Sequence, residues 1–203
     1  MSDTRWQGVL MKSVCVYCGS ANLASQEYFH AARQMGETLA RRGLGLIYGG
    51  GKTGLMGALA DSMVANGGQV TGVIVESMNT PELAHTRLNR LEVTGTIHQR
   101  KARMYELADG YIALPGGYGT LDELFETLTW AQIGEHNKPV GLLNVNGYYD
   151  SLLAMLECAL KEKFLFPEHR QTLLCDSQPD DLLDAMEAYR PALEAVKRWM
   201  TQD

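Results

Sequence analysis

The chain has little that would tie it to a membrane, a secretory route or a nucleic acid. No stretch of its 203 residues approaches 18 uninterrupted apolar positions, which argues against a membrane-spanning helix. The first 15 residues carry Asp3, Arg5 and Lys12 and no apolar core of the signal-peptide kind, which argues against export. Cysteine is scarce, with four residues at 15, 18, 158 and 175, too few for a disulfide scaffold of this size. Reduced thiols in a cytoplasm fit best. Cys15 and Cys18 form a C-x-x-C pair, but no second pair or metal-spaced histidine follows, and a spacing of three on a strand sends the side chains to opposite faces. Buried structural thiols are therefore preferred to a redox or metal site. His30, His85, His98, His136 and His169 show no ligand spacing either, so no metal is expected. Basic residues are outnumbered 18 to 24, and the net charge of −6 repels polyanions, so nucleic acid is not an expected partner. Proline is also sparse, at 6, and there is no Pro/Ser-rich linker, composition break or internal repeat. A single domain over 1–203 is expected, with a loose N-terminus at 1–12 and a helical segment at 178–200.

What is present is a soluble α/β composition, 45% apolar and 21% charged, with 21 glycines. Short β-rich runs at 13–18, 44–48, 69–75, 91–94, 110–114 and 139–144 alternate with segments of helical period near 26–42, 54–67, 98–108, 120–134 and 147–162. The runs VCVY, LGLIY, VTGVIV, YIAL and VGLL are almost continuously apolar, as strands are when helices cover both sheet faces. This predicts a Rossmann-like, doubly wound parallel sheet. Residues 76–90 form one long non-periodic connection, a length that usually marks function. Near the C-terminus Leu182, Leu183, Met186 and Tyr189 recur at helical spacing, Pro191 interrupts, and Leu193, Val196, Trp199 and Met200 resume. That face suits packing against the sheet, with a subunit interface as the alternative.

In open parallel sheets ligands gather beyond the carboxyl ends of the strands, where helix N-termini offer unpaired N–H groups. Three loops qualify. The first, with Gly19 and Ser20, is a weak signal, since the same residues make any tight turn. The second holds Gly49, Gly50, Gly51, Lys52, Thr53 and Gly54. An NTPase phosphate loop would need glycine at position 46, where Leu46 stands. Gly49, Gly51 and Gly54 do satisfy G-x-G-x-x-G, and Glu76 stands where a ribose-binding carboxylate would be expected, so a dinucleotide site competes with a glycine turn that merely packs a helix. The third loop, Pro115-Gly116-Gly117-Tyr118-Gly119-Thr120, leads into a helix and suits a terminal phosphate. Thr120 and Glu123 also read as a capping box, with Thr120 as the N-cap, and that alone would explain both residues but not three glycines. A fourth element, Arg100, Lys101 and Arg103, puts three cations near a helix start. That is either a solvated face or a sign that a phosphate or carboxylate lies close, because such charges oppose the helix dipole.

With R-K-A-x-M at 100–104 and P-G-G-x-G-T-x-x-E at 115–123, and the longer run LPGGYGTLDELFETLTWAQIG…KPVGLLNVNGYY, the sequence resembles the LOG family, the cytokinin riboside 5′-monophosphate phosphoribohydrolases. The similarity runs from about 13 to about 166. Relatives often bear the label "lysine decarboxylase", yet no lysine here has an evident pyridoxal phosphate setting. The resemblance decides against the dinucleotide reading. It implies a Rossmann-like homodimer that cleaves the N-glycosidic bond of adenosine 5′-monophosphate, often alkylated on its exocyclic amine, to free base and ribose 5-phosphate; with no metal or pyridoxal setting evident, no cofactor is expected. By motif position it makes Arg100 and Glu123 the essential pair. Lys101, Gly116, Gly117, Tyr118, Gly119, Thr120, Leu121, Asp122 and Thr129 line the nucleotide site, and Glu82 matches an acidic ligand eighteen positions before Arg100. Gly19, Ser20, Gly49, Gly50 and Gly51 close over the ligand. A non-catalytic nucleotide sensor on the same scaffold is the alternative, and a nicotinamide-dependent enzyme at 49–54 a further one.

Overall fold

The computed structural model describes residues 10–191. Seven strands form one sheet: β1 (Ser13–Tyr17), β2 (Gly45–Tyr48), β3 (Val70–Val75), β4 (Arg90–Thr94), β5 (Gly110–Ala113), β6 (Val140–Leu143) and β7 (Leu173–Asp176). Every pairing is parallel, in the order β4-β3-β2-β1-β5-β6-β7. The helices are α1 (Gln26–Arg41), α2 (Gly54–Ala65), α3 (Ile97–Leu107), α4 (Tyr118–Ile133), α5 (Asp150–Lys161), α6 (Pro167–Arg170) and α7 (Pro179–Glu187). Central strands are buried on both faces, which is why they read as unbroken apolar runs, whereas the edge strands β4 and β7 are mostly half-buried or exposed.

The period of two along each strand divides the interior into two cores. Val14, Val16 and Leu46 face Met35 and Leu39 of α1, Leu59 of α2 and Leu182 of α7. Cys15, Tyr17 and Tyr111 face Met104 of α3 and Leu124 of α4. Each fully buried Leu or Met contributes about 1.5–3 kcal/mol. Cys15 and Cys18 fall in opposite cores as unpaired thiols, as their spacing predicts. Helices α1 and α2 approach closely at Gly36, where a Cβ would come 2.6 Å from the Leu59 carbonyl.

Some expectations need correction. Strand β7 is not among the expected runs: at four residues, LLCD, it is too short a signal to separate from a loop. At the expected loose N-terminus, residues 1–9 lie outside the described residues, but Met11 is buried and the Lys12 amide donates to Asp109 Oδ2 at 2.8 Å, so these two are anchored. In the C-terminal segment α7 buries Leu182, Leu183 and Met186 against the sheet, the packing role expected for that face. Leu193, Val196, Trp199 and Met200 lie outside the described residues. Among the described residues no helix is long and apolar enough to cross a membrane.

The chain moves outward from β1 through β2 and β3 to β4, then crosses back to β5 on the other side of β1. The loops after β1 and β5 therefore part in opposite directions, and their divergence opens a crevice at the carboxyl edge of the sheet.

Candidate active site

The loops after β1, β2 and β5 are tied to one another at this crevice. The Gly19 amide donates to the Pro115 carbonyl at 3.0 Å, and the Leu55 amide donates to the Gly19 carbonyl at 2.9 Å. The Gly54 amide donates to Asn22 Oδ1 at 2.8 Å. Gly54 has φ +59°, and a Cβ there would sit 2.4 Å from the Ser20 carbonyl carbon, so only glycine allows this approach.

Two helix N-termini face the crevice, and they differ in what remains free. At α2 the Gly54 and Leu55 amides are consumed by Asn22 and Gly19. Its glycine loop is filled by the protein itself: a Cβ on Gly51 would meet Met56 Cε at 2.6 Å, and one on Gly50 would meet Ile74 and Leu91. The triple glycine thus serves close packing of a helix on the sheet, and Glu76 is exposed on the short 3₁₀ turn after β3. At α4 the N-cap is Gly117 with no side-chain cap, and added Cβ atoms at Gly117 or Gly119 would meet nothing within 4 Å. This open end, flanked by Tyr118 at 95% exposure, offers uncapped N–H groups and the positive end of a 16-residue helix.

The capping box expected at Thr120 and Glu123 is not formed. The helix starts two residues earlier, and Thr120 is its third residue, 3% exposed, with its hydroxyl packed over Gly116. The Glu123 carboxylate turns to Arg100 instead: Nη1 donates to Oε1 at 2.9 Å, with the two side chains 13% and 12% exposed. A charge-assisted bond in such a setting outweighs a neutral capping contact. Arg100 Nε also donates to the Val73 carbonyl at 2.9 Å, so the guanidinium bridges β3 and α4. From below, the Thr127 hydroxyl donates to the Glu123 carbonyl at 2.8 Å and lies 3.0 Å from the Tyr17 hydroxyl. Burial pushes the Glu123 carboxyl above its ordinary value, and Arg100 pulls part of that shift back.

The cations of α3 are satisfied by carboxylates. Lys101 Nζ reaches Asp122 at 3.1 Å and Glu126 at 2.9 Å, and Arg103 reaches Glu92 at 2.8 Å and Glu106 at 3.0 Å. Burial lowers the Lys101 ammonium, but Glu126 and Asp122 outweigh it and leave it above the usual lysine value. The helix itself is opened by a complete capping box in which the Gln99 amide donates to the Thr96 hydroxyl and the Thr96 amide to Gln99 Oε1.

A family described as "Possible lysine decarboxylase" matches residues 56–186. The chain is 47% identical over 180 residues to a "Probable cytokinin riboside 5′-monophosphate phosphoribohydrolase" of Oryza sativa subsp. japonica, covering 89% of this chain and 73% of that protein. It is 41% identical over 192 residues to a cytokinin riboside 5′-monophosphate phosphoribohydrolase of Arabidopsis thaliana, covering 95% and 88%. The chain belongs to the LOG family. Two solved structures share its fold. One is a molybdenum cofactor binding protein of Rippkaea orientalis, 24% identical with TM-score 0.65 over 86% of this chain and 95% of that one. The other is a molybdenum cofactor carrier protein of Chlamydomonas reinhardtii, 18% identical with TM-score 0.59 over 93% and 98%.

The LOG-family positions do not all converge on the Arg100–Glu123 pair. Gly116, Gly117, Tyr118, Gly119 and Thr120 form the open helix end, while Leu121 packs against the core beneath it. Gly19 and Gly49 border the crevice, and Ser20 is exposed on its rim. Gly50 and Gly51 are buried under the long loop, whose Ala84 bridges Gly51 and whose His85 amide donates to the Gly50 carbonyl at 2.9 Å. Glu82 is exposed on that loop; bonds from its own amide and the Thr80 hydroxyl hold its carboxyl below the usual range. Thr129 lies apart, in a groove with Phe125, Leu128, Leu156 and Phe164. Sequence reasoning missed His85 as more than a histidine without ligand spacing. It is 5% exposed, sits 3.3 Å from Asp61 of α2, and fastens the long loop, and only its apolar neighbour Ala84 hints at burial.

Proposed function

We propose that this LOG-family protein hydrolyses the N-glycosidic bond of adenosine 5′-monophosphate or its N-alkylated forms, releasing free base and ribose 5-phosphate without a cofactor. The observation that carries this reading is a buried carboxylate–guanidinium pair whose carboxylate stands in the second turn of a helix, the N-terminus of which has no side-chain cap and is open around Gly117 and Gly119. The 5′-phosphate sits on the first-turn amides of α4. One turn along, about 5 Å, Glu123 faces the sugar. Glycosidic cleavage passes through an oxocarbenium-like sugar, which a carboxylate stabilises while accepting a proton from the attacking water. At ~4 Å and an effective dielectric of ~20 the attraction is ~4 kcal/mol, or roughly three decades of rate if expressed only in the transition state. Arg100 keeps Glu123 available as the carboxylate against the pull of burial, and its remaining N–H groups contact phosphate or the departing purine. Incubation with AMP and with its isopentenyl derivative, followed by separation of base from nucleotide, should yield free base and ribose 5-phosphate in equal amounts. Nucleotide that is bound but recovered intact would favour a sensor or carrier and overturn the hydrolase.

The functional unit in this reading is a cytoplasmic homodimer. Helix α5 has no buried residue in its 12, and with α4 it borders an apolar groove of about 190 Å³ in which Phe164 is 86% exposed. Covering that face with a second copy takes Phe164 and its apolar neighbours out of water, and brings each Thr129 against the partner.

A further inference from the structure

Three consecutive carbonyls precede the open turn, and each is held by a donor from elsewhere in the fold. The buried Tyr149 hydroxyl donates to the Leu114 carbonyl at 2.7 Å, the Gly19 amide to the Pro115 carbonyl at 3.0 Å, and the Tyr148 hydroxyl to the Gly116 carbonyl at 2.7 Å. Tyr148 is itself fixed edge-on between two rings, Tyr28 at 5.5 Å and Tyr149 at 4.9 Å. The third carbonyl differs from the first two. Its peptide joins Gly116 to Gly117, where no Cβ resists rotation on either side and where an added Cβ at Gly117 would meet only open space. If that peptide turned over, its oxygen would face the anion and its N–H would face away, replacing an attraction by a repulsion. In the trans peptide the Gly116 oxygen and the Gly117 N–H point in opposite directions, so fixing one fixes the other.

We propose that Tyr148 is a positioning residue for anion binding: its hydroxyl holds the Gly116 carbonyl outward and thereby aims the Gly117 amide at the bound phosphate. This rests on the reading of the α4 end as the phosphate site. Tyr148 is 44% exposed and bonds the turn through its hydroxyl while its ring rests on Tyr28 and Tyr149, so Tyr148→Phe removes the bond and keeps the ring.

The test is a calorimetric titration of wild type and Tyr148→Phe with ribose 5-phosphate, joined to steady-state kinetics on AMP and inhibition by free adenine. The variant should bind ribose 5-phosphate about fivefold more weakly, the effect of one hydrogen bond. KM for AMP should rise by the same factor, with kcat and adenine inhibition unchanged. Equal affinities of the two proteins for ribose 5-phosphate would overturn this inference while leaving the hydrolase reading intact, as would a loss confined to kcat. A wild-type protein that cleaves AMP yet does not bind ribose 5-phosphate would overturn it too. Wild type that neither binds nor cleaves would remove the phosphate site and this inference together.

Discussion

The Arg100 guanidinium occupies the space that a side chain on residue 49 would need: a Cβ on Gly49 would stand 2.2 Å from Arg100 Nη2. The first glycine of the loop after β2 is therefore tied to the ion pair by shape. The same guanidinium is held by Val73 on one side and Glu123 on the other, so any shift that makes room at residue 49 strains one of these two bonds.

Gly49→Ala should then displace Arg100 and separate it from Glu123 without unfolding the protein. A misplacement of about 1 Å costs on the order of 100-fold in turnover. Kinetics on AMP alongside a circular dichroism spectrum check this, and an alanine variant with wild-type kcat/KM would show that the guanidinium is not fixed by the glycine.

The pH dependence of kcat/KM follows from the surroundings of Glu123. Burial is the largest influence and raises its pKa, so activity should fall on acidification at a pH above the ordinary glutamate range. Among the smaller influences Asp122 raises it and Lys101 lowers it. Asp122→Asn should thus move the acid limb to lower pH and Lys101→Met to higher pH. A full profile for the three proteins tests the sign, and shifts in the same direction would contradict it.

If the α4–α5 face joins two copies, Phe164→Glu should convert a dimer of twice 22.4 kDa into a monomer in sedimentation equilibrium. The buried charge at the interface would cost several kcal/mol. A wild type that sediments as a monomer would remove this face from the account.

The sheet and its central helices were legible because burial on both faces imposes unbroken apolar strands, and the helices between them keep their period. The site was legible in part. Thr96-x-x-Gln99 and Thr120-x-x-Glu123 carry the same capping signature, yet only the first forms a box. The difference lies in tertiary structure: Glu123 has Arg100 within reach across the crevice, and a glycine N-cap lets α4 begin earlier. Likewise the three glycines at 49–51 and those at 116, 117 and 119 look alike in sequence, although the first set is packed by Arg100, Met56 and Leu91 and two of the second set are open. The brace from Tyr148 spans 32 residues to Gly116, and no local pattern encodes it.

The central claim is tested most directly by Glu123→Gln, assayed for AMP binding and for release of free adenine. The glutamine is nearly isosteric and leaves the α4 amides in place, so nucleotide affinity should stay within a few-fold of wild type while adenine release falls by roughly three decades. Adenine release at the wild-type rate would contradict the account.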